Sequence, residues 1–123
     1  MTPKRGKSGI QVKRVYEEAS AEDGARFLVD GLWPRGIKKS VLPDMEWAKE
    51  VAPSAELRKW YGHEPEKWKE FQKRYRAELA KNTGAWKPLL SAAKKSAVTL
   101  LTATHDVKIS HAMVLMDFLK RKV

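Results

Sequence analysis

The run Ala97-Val-Thr-Leu-Leu-Thr-Ala103 carries no charge and is made almost entirely of apolar and β-branched residues. It predicts a strand buried between helical layers, the setting of a parallel sheet rather than of a half-solvated antiparallel one. After it come a short polar connection and a second apolar pattern, in which Ala112, Leu115, Met116 and Leu119 share one helical stripe. Ser110 is the expected N-cap of that helix, which runs to about residue 120. A strand, a connection and a helix in this order form the βα half of a parallel unit.

The rest of the chain supplies partners for that strand. Residues 10–16 are rich in β-branched side chains and lead into a polar stretch, 17–24, that suits a turn or one short helix. Phe27, Leu28 and Val29 form an uninterrupted apolar core within residues 26–30, which predicts a central strand. The ladder cannot continue through Gly31-Leu-Trp-Pro-Arg-Gly36, because Pro34 has no N–H, so a shaped loop leaves this strand. From Asp44 the apolar spacing of Met45, Trp47, Ala48 and Val51 predicts a short helical segment ending near Pro53. A helix over 54–61 has Ser54 as N-cap and Gly62 as its C′ residue. Pro65 opens a longer helix to about residue 81, with Trp68, Phe71, Tyr75 and Leu79 on its core face. Asn82-Thr-Gly84 breaks the pattern, and 85–95 forms a further helix with Pro88 near its first turn.

These elements predict a single compact α/β domain over residues 10–123, with a small, mainly parallel sheet of three or four strands flanked by helices. A helical insertion separates the second and last strands, and residues 1–9 form a basic flexible leader. A chain of 123 residues is enough for one core. With 33% charged residues it contains no apolar run of the roughly 18 residues a membrane span needs, and no secretory-type opening. A cytoplasmic protein without a membrane partner is therefore the expectation, with its oligomeric state open. The absence of cysteine excludes disulfides, thiol nucleophiles and Cys-based metal sites.

The net charge of +10 suggests nucleic acid, since clustered cations release phosphate counterions. Six of those charges, however, sit in the terminal segments, and residues 10–119 carry 19 basic and 15 acidic groups, a balance of +4. A nucleic-acid surface using Arg14, Lys38, Lys39, Arg58 and Lys59 is therefore the alternative reading, and an interaction domain using its five tryptophans a third.

In parallel sheets, ligands bind where the carboxyl ends of strands meet helix N-termini. One strand end delivers Asp30, Trp33 and Arg35, the other Thr104, Asp106 and the helix start at His111. Brought together, these groups suit a small anionic or polar ligand. Each also has a bland reading: Asp30 capping the Gly31 turn, Trp33 sealing the core edge, Arg35 pairing with Asp30 or Asp106. A second cluster, Arg58, Trp60 and His63, spans a helix end and the turn after it, where an imidazole can exchange protons near neutral pH or simply cap a helix. His63, His105 and His111 lack the spacing that puts two imidazoles on one ion, so no metal is expected. No Walker loop, dinucleotide fingerprint or nucleophile elbow is present, and no cofactor is expected.

Several blocks are specific enough to identify relatives. Val12-Lys-Arg-Val-Tyr16, Asp23-Gly24, Leu28-Val-Asp-Gly-Leu-Trp-Pro-Arg-Gly36, Glu56-Leu-Arg-Lys-Trp-Tyr-Gly-His63 and Thr99-Leu-Leu-Thr-Ala103 resemble the YeaO-like small bacterial proteins, domain-of-unknown-function family 488. The resemblance covers residues 11–119 and implies an α/β fold without an established activity. Longer members carry a Cys-His-Arg-like element after the last strand, similar to rhodanese and small phosphatase loops. This chain has Ser110-His111-Ala112 there, so the resemblance implies a retained polar or anion site without thiol transfer. It points to Trp33, Arg35, Arg58, Trp60 and His63 as the residues carried over.

Overall fold

The uncharged run becomes the interior strand of a fully parallel sheet. A computed structural model describes residues 9–41 and 44–123. Strand β1 (Ile10–Arg14) pairs with β4 (Val98–Thr102), which pairs in turn with β2 (Ala25–Leu28), and a two-residue β3 (Glu46–Trp47) completes the order β1-β4-β2-β3. The register sets Ile10 and Ala25 level with Val98, and Lys13 and Leu28 level with Leu101. All five residues of β4 are buried.

The helices are α1 (Ala55–Tyr61), α2 (Trp68–Lys81), α3 (Thr83–Lys95) and α4 (His111–Lys120). All four contribute to one apolar cluster with Phe27, Val29, Val98 and Leu100. The opposite face of the sheet carries Leu28 and Leu101, which pack with Val15, Met45 and Trp33 from loops and with Trp47 of β3 rather than with a second helical layer. Thr99 belongs to that face too, and a buried hydroxyl there needs a partner, which it finds by donating to the Asp23 carbonyl at 2.8 Å. β4 is thus buried as expected, but with helices on one side only.

Local signals explain most element ends. Ser54 accepts from the Leu57 amide at 3.1 Å and thereby caps α1, while Gly62 takes a left-handed φ of 53° after it. On α2, Phe71, Tyr75 and Leu79 are each 1% exposed, worth about 1.5–3 kcal/mol per side chain. The Tyr75 hydroxyl is satisfied by donating to the Val51 carbonyl at 2.6 Å.

Three expectations need correction. Residues 44–53 are not a helical segment: they form β3 and a 3-10 turn, Lys49–Val51. Gly84 does not break a helix but lies in the first turn of α3. Ser110 precedes α4, yet its hydroxyl donates backward to Val107 at 2.8 Å, so α4 begins without a side-chain cap. The basic leader falls, up to residue 8, outside the described residues. Among the described residues, no helix is long and apolar enough to cross a membrane.

Candidate functional site

The carboxyl ends of β2 and β4 are tied together by one carboxylate. Asp30 accepts the Thr102 hydroxyl at 2.7 Å with one oxygen and the Ala103 amide at 2.8 Å with the other. It therefore bridges two strands rather than capping the Gly31 turn. Beside it a cleft of about 630 Å³ opens, lined by the loop after β2, by Ala103 and Thr104, by the start of α4 and by α1.

Of the residues expected at a site, Asp30, Trp33, Arg35, Arg58, His63, Thr104 and His111 all line this cleft. Trp60 and Asp106 do not. The Trp60 ring lies against the Arg74 guanidinium at 4.2 Å and the Lys67 ammonium at 5.1 Å, and Asp106 accepts from the Lys108 amide to start a 3-10 turn. Arg35 forms no ion pair with either carboxylate. Its backbone carbonyl instead accepts the Tyr16 hydroxyl at 2.9 Å. Tyr16, Leu32 and Tyr61 are lining residues that sequence reasoning did not single out.

The loop that forms the mouth is held rigidly. Trp33 donates its indole N–H to the Ile37 carbonyl at 2.6 Å and meets Trp47 edge-on at 5.2 Å, while Trp47 donates to the Asp30 carbonyl at 2.8 Å. On the other wall Tyr61 donates to Ile109 at 2.8 Å, joining α1 to the turn before α4. Burial, with the nearby Asp106 charge, raises the Tyr61 pKa, so it stays a neutral donor. His63 follows Gly62 in the left-handed region with φ 57°, a conformation that costs a non-glycine residue about 1 kcal/mol or more.

His111 sits at the base. Its Nε2 lies 2.9 Å from the Val29 carbonyl and 3.3 Å from Asp30. Burial lowers its pKa, and the Arg58 and His63 charges lower it further, against the opposing pull of Asp30 and the Val29 carbonyl. The imidazole is therefore neutral at physiological pH. A carbonyl can only accept, so Nε2 carries the proton and Nδ1 is left as the acceptor.

Arg58 is the exception to this pattern of satisfied groups. Its Nε is buried without a hydrogen-bond partner, and the side chain forms no ion pair among the described residues. Gly31 gives it room: a Cβ there would stand 2.9 Å from Nη1. The cleft thus holds Arg35, Arg58 and Lys59 against a single carboxylate that is already fully engaged.

A family model described as the inactive DUF488-N3 subclade matches residues 9–123. The chain belongs to this family. It is 48% identical over 111 residues to the uncharacterized protein YeaO of Escherichia coli K12, covering 90% of this chain and 96% of that one. It is 46% identical over 110 residues to the uncharacterized proteins Mb3100c of Mycobacterium bovis and Rv3073c of Mycobacterium tuberculosis H37Rv, in each case over 89% of this chain and 92% of the relative. No solved structure matches. In this DUF488 chain the position where longer members were expected to carry a cysteine element is the uncapped start of α4, with Ser110 and His111 facing the cleft.

Proposed function

We propose that this protein binds a small anionic ligand in the cleft between α1, the loop after β2 and the start of α4, without thiol chemistry. One observation carries the reading: the Arg58 guanidinium stands in the cleft with a buried, unpartnered Nε. A buried guanidinium N–H without an acceptor is costly to the folded state, and an oxyanion accepting it, together with the forked N–H groups beside it, removes that cost. The uncapped amides of α4 point the same way, since a helix N-terminus favours negative charge. The inactive label of the family model agrees with binding rather than turnover.

The test is a titration with inorganic phosphate, sulfate and acetate, followed by melting temperature and calorimetry at two salt concentrations. An anion that binds the folded state raises the melting temperature by mass action. Arg58→Ala should weaken that binding about 10–100-fold, the worth of about 1.5–3 kcal/mol for a hydrogen bond to a charged group. It should leave the unliganded stability unchanged or slightly higher, because it removes an unpaired cation. Unchanged anion affinity in Arg58→Ala would sink the reading. Binding only of oligonucleotides, with a steep salt dependence, would move the function to the exposed Lys38, Lys39 and Lys59. Arg14 is less suited to that role, because its guanidinium donates to the Ala103 and Thr104 carbonyls. The interaction-domain reading has little to work with, since none of the tryptophans is exposed.

Gly31→Ala gives an orthogonal check. Its φ lies outside the left-handed region, so the backbone accepts alanine, and the atoms in the way are the tip of Arg58, at 2.9 Å for Nη1 and 3.2 Å for Cζ. The substitution should shift the melting point by only a few degrees, about 1 kcal/mol or less, while displacing the guanidinium and weakening phosphate binding by about tenfold. A variant that loses stability but binds normally would show that Arg58 is not the anion contact.

A further inference from the structure

Three large hydrophobic side chains are exposed among the described residues: Tyr16 at 46%, Leu32 at 71% and Val123 at 49%. Val123 ends the chain. The other two come from different strand ends and line the same cleft. A fold that buries Leu28, Leu57, Leu79, Leu89, Leu100, Leu101, Leu115 and Leu119 has left Leu32 in water at the mouth of a cationic pocket. Resting on the anion-binding reading above, we infer that the natural ligand is an organic anion with an apolar, ring-sized body, its charged group on Arg58 and its body covering Leu32 and Tyr16.

Size supports this. Pockets of roughly 300–1,000 Å³ enclose whole organic ligands, and the cleft, at about 630 Å³, falls in that range. A bare oxyanion of a few atoms would leave most of it filled with water. The lining is divided to match. The inner wall has the half-buried Arg58 guanidinium and His111, with His63 exposed beside them, whereas Leu32, Trp33 and Tyr16 present apolar surface at the open end. The two ends are one residue apart in sequence, because Gly31 lies against Arg58 and Leu32 follows it. A ligand that reaches both therefore needs only a charged group joined directly to a ring or a short apolar body.

The apolar wall is also preformed. The Tyr16 hydroxyl is fixed on Arg35 and the Trp33 indole on Ile37, so little ordering remains when a ring docks. Bare phosphate would use none of this wall.

The experiment is a calorimetric comparison of paired probes: inorganic phosphate with phenyl phosphate, acetate with benzoate, and benzyl alcohol as a ring without charge. It uses the intact chain, Leu32→Ala and Arg58→Ala. Leu32 is exposed, so its variant should melt like the parent. The expected result is that at least one aryl anion binds tenfold or more tightly than its small counterpart, and that Leu32→Ala removes most of this gain without changing phosphate or acetate affinity. Arg58→Ala should lose both members of the pair, and benzyl alcohol should bind at least tenfold more weakly than the aryl anion. Equal affinity for small and aryl anions would overturn the inference and leave the anion site standing. So would an aryl preference that Leu32→Ala does not diminish. Benzyl alcohol binding as tightly as the aryl anions would overturn the role of Arg58 and with it the anion reading. No binding by any of the anions removes both.

Discussion

Asp23→Ala should lower folding stability by about 3–5 kcal/mol, a fall of roughly 10–20 °C in melting temperature, because it leaves buried cations without their counter-charge. Asp23 is 1% exposed and accepts from Lys13 Nζ at 3.0 Å, Gln11 Nε2 at 3.2 Å and the Ser20 amide at 3.1 Å. Arg26 adds an ion pair at 3.4 Å, and its Nε has no hydrogen bond of its own. Lys13 and Arg26 are each only 16% exposed, so neither can turn fully into water when the carboxylate is gone. The double variant Lys13→Met with Asp23→Ala should cost less than Asp23→Ala alone if the stranded charge is the cause. Burial pushes the Asp23 pKa up, but the Lys13 and Ser20 hydrogen bonds and the Lys13 and Arg26 charges outweigh it, and the net value lies below the ordinary 3.8. For a carboxyl with a lowered folded pKa, the stabilisation is complete above the unfolded value and disappears as pH falls through the folded one. The gap between parent and variant in urea melts should therefore be constant near neutrality and narrow below about pH 4. A gap that is small at pH 7, or that widens in acid, would show the network to be dispensable.

This network explains why Asp23-Gly24 stands among the blocks that carry the family resemblance although neither residue lines the cleft. The sequence shows a polar stretch there, which suits a turn. It does not show that the turn folds its carboxylate under the open face of the sheet, because that depends on Gln11, Lys13, Arg26 and Thr99 arriving from three different strands.

Elements governed by local signals were the legible ones. The charge-free β4, the capped α1 and the stripe on α2 each follow from residues within one or two turns of each other. The segment around β3 was not legible, because Met45, Trp47, Ala48 and Val51 fit a helical spacing as well as any other. The structure divides them between two cores: Met45 and Trp47 pack on the loop-covered face, Val51 and Ala48 on the helical one. A helix would have put all four on one stripe.

The cleft was legible to the extent that strand ends in parallel sheets converge. Trp60 could have been excluded in advance, since two residues along α1 from Arg58 is a rotation of about 200°, which carries it to the opposite face. What no sequence pattern could show is that Arg58 meets no carboxylate, or that Leu32 stays in water. Both are statements about groups that fail to arrive, and these two features make the strongest argument for a ligand.

Gly24→Ala should be at least as damaging as Asp23→Ala, with a loss of about 4 kcal/mol or more, from two independent causes. Gly24 has φ 66° and ψ −137°, a region open almost only to glycine, and an added Cβ would stand 2.2 Å from the Ala97 carbonyl oxygen. That oxygen cannot move aside, since it accepts the Ala25 amide at 3.0 Å in the first rung between β2 and β4. Gly36→Ala separates the two causes: its φ is 79°, but nothing lies within 4 Å of the added carbon, so it carries backbone strain alone, about 1–2 kcal/mol. Urea melts of both variants should show Gly24→Ala losing at least twice as much as Gly36→Ala, and equal losses would mean that the Ala97 carbonyl yields. The contact reaches beyond stability. It fixes Ala25 level with Val98, and the same register carried to the far end of the strands brings Asp30 to Thr102 and Ala103. A Gly24→Ala protein that still folds, but with this rung displaced, should therefore lose the alignment of Asp30 and His111, and with it anion binding at a site at the opposite end of the strands.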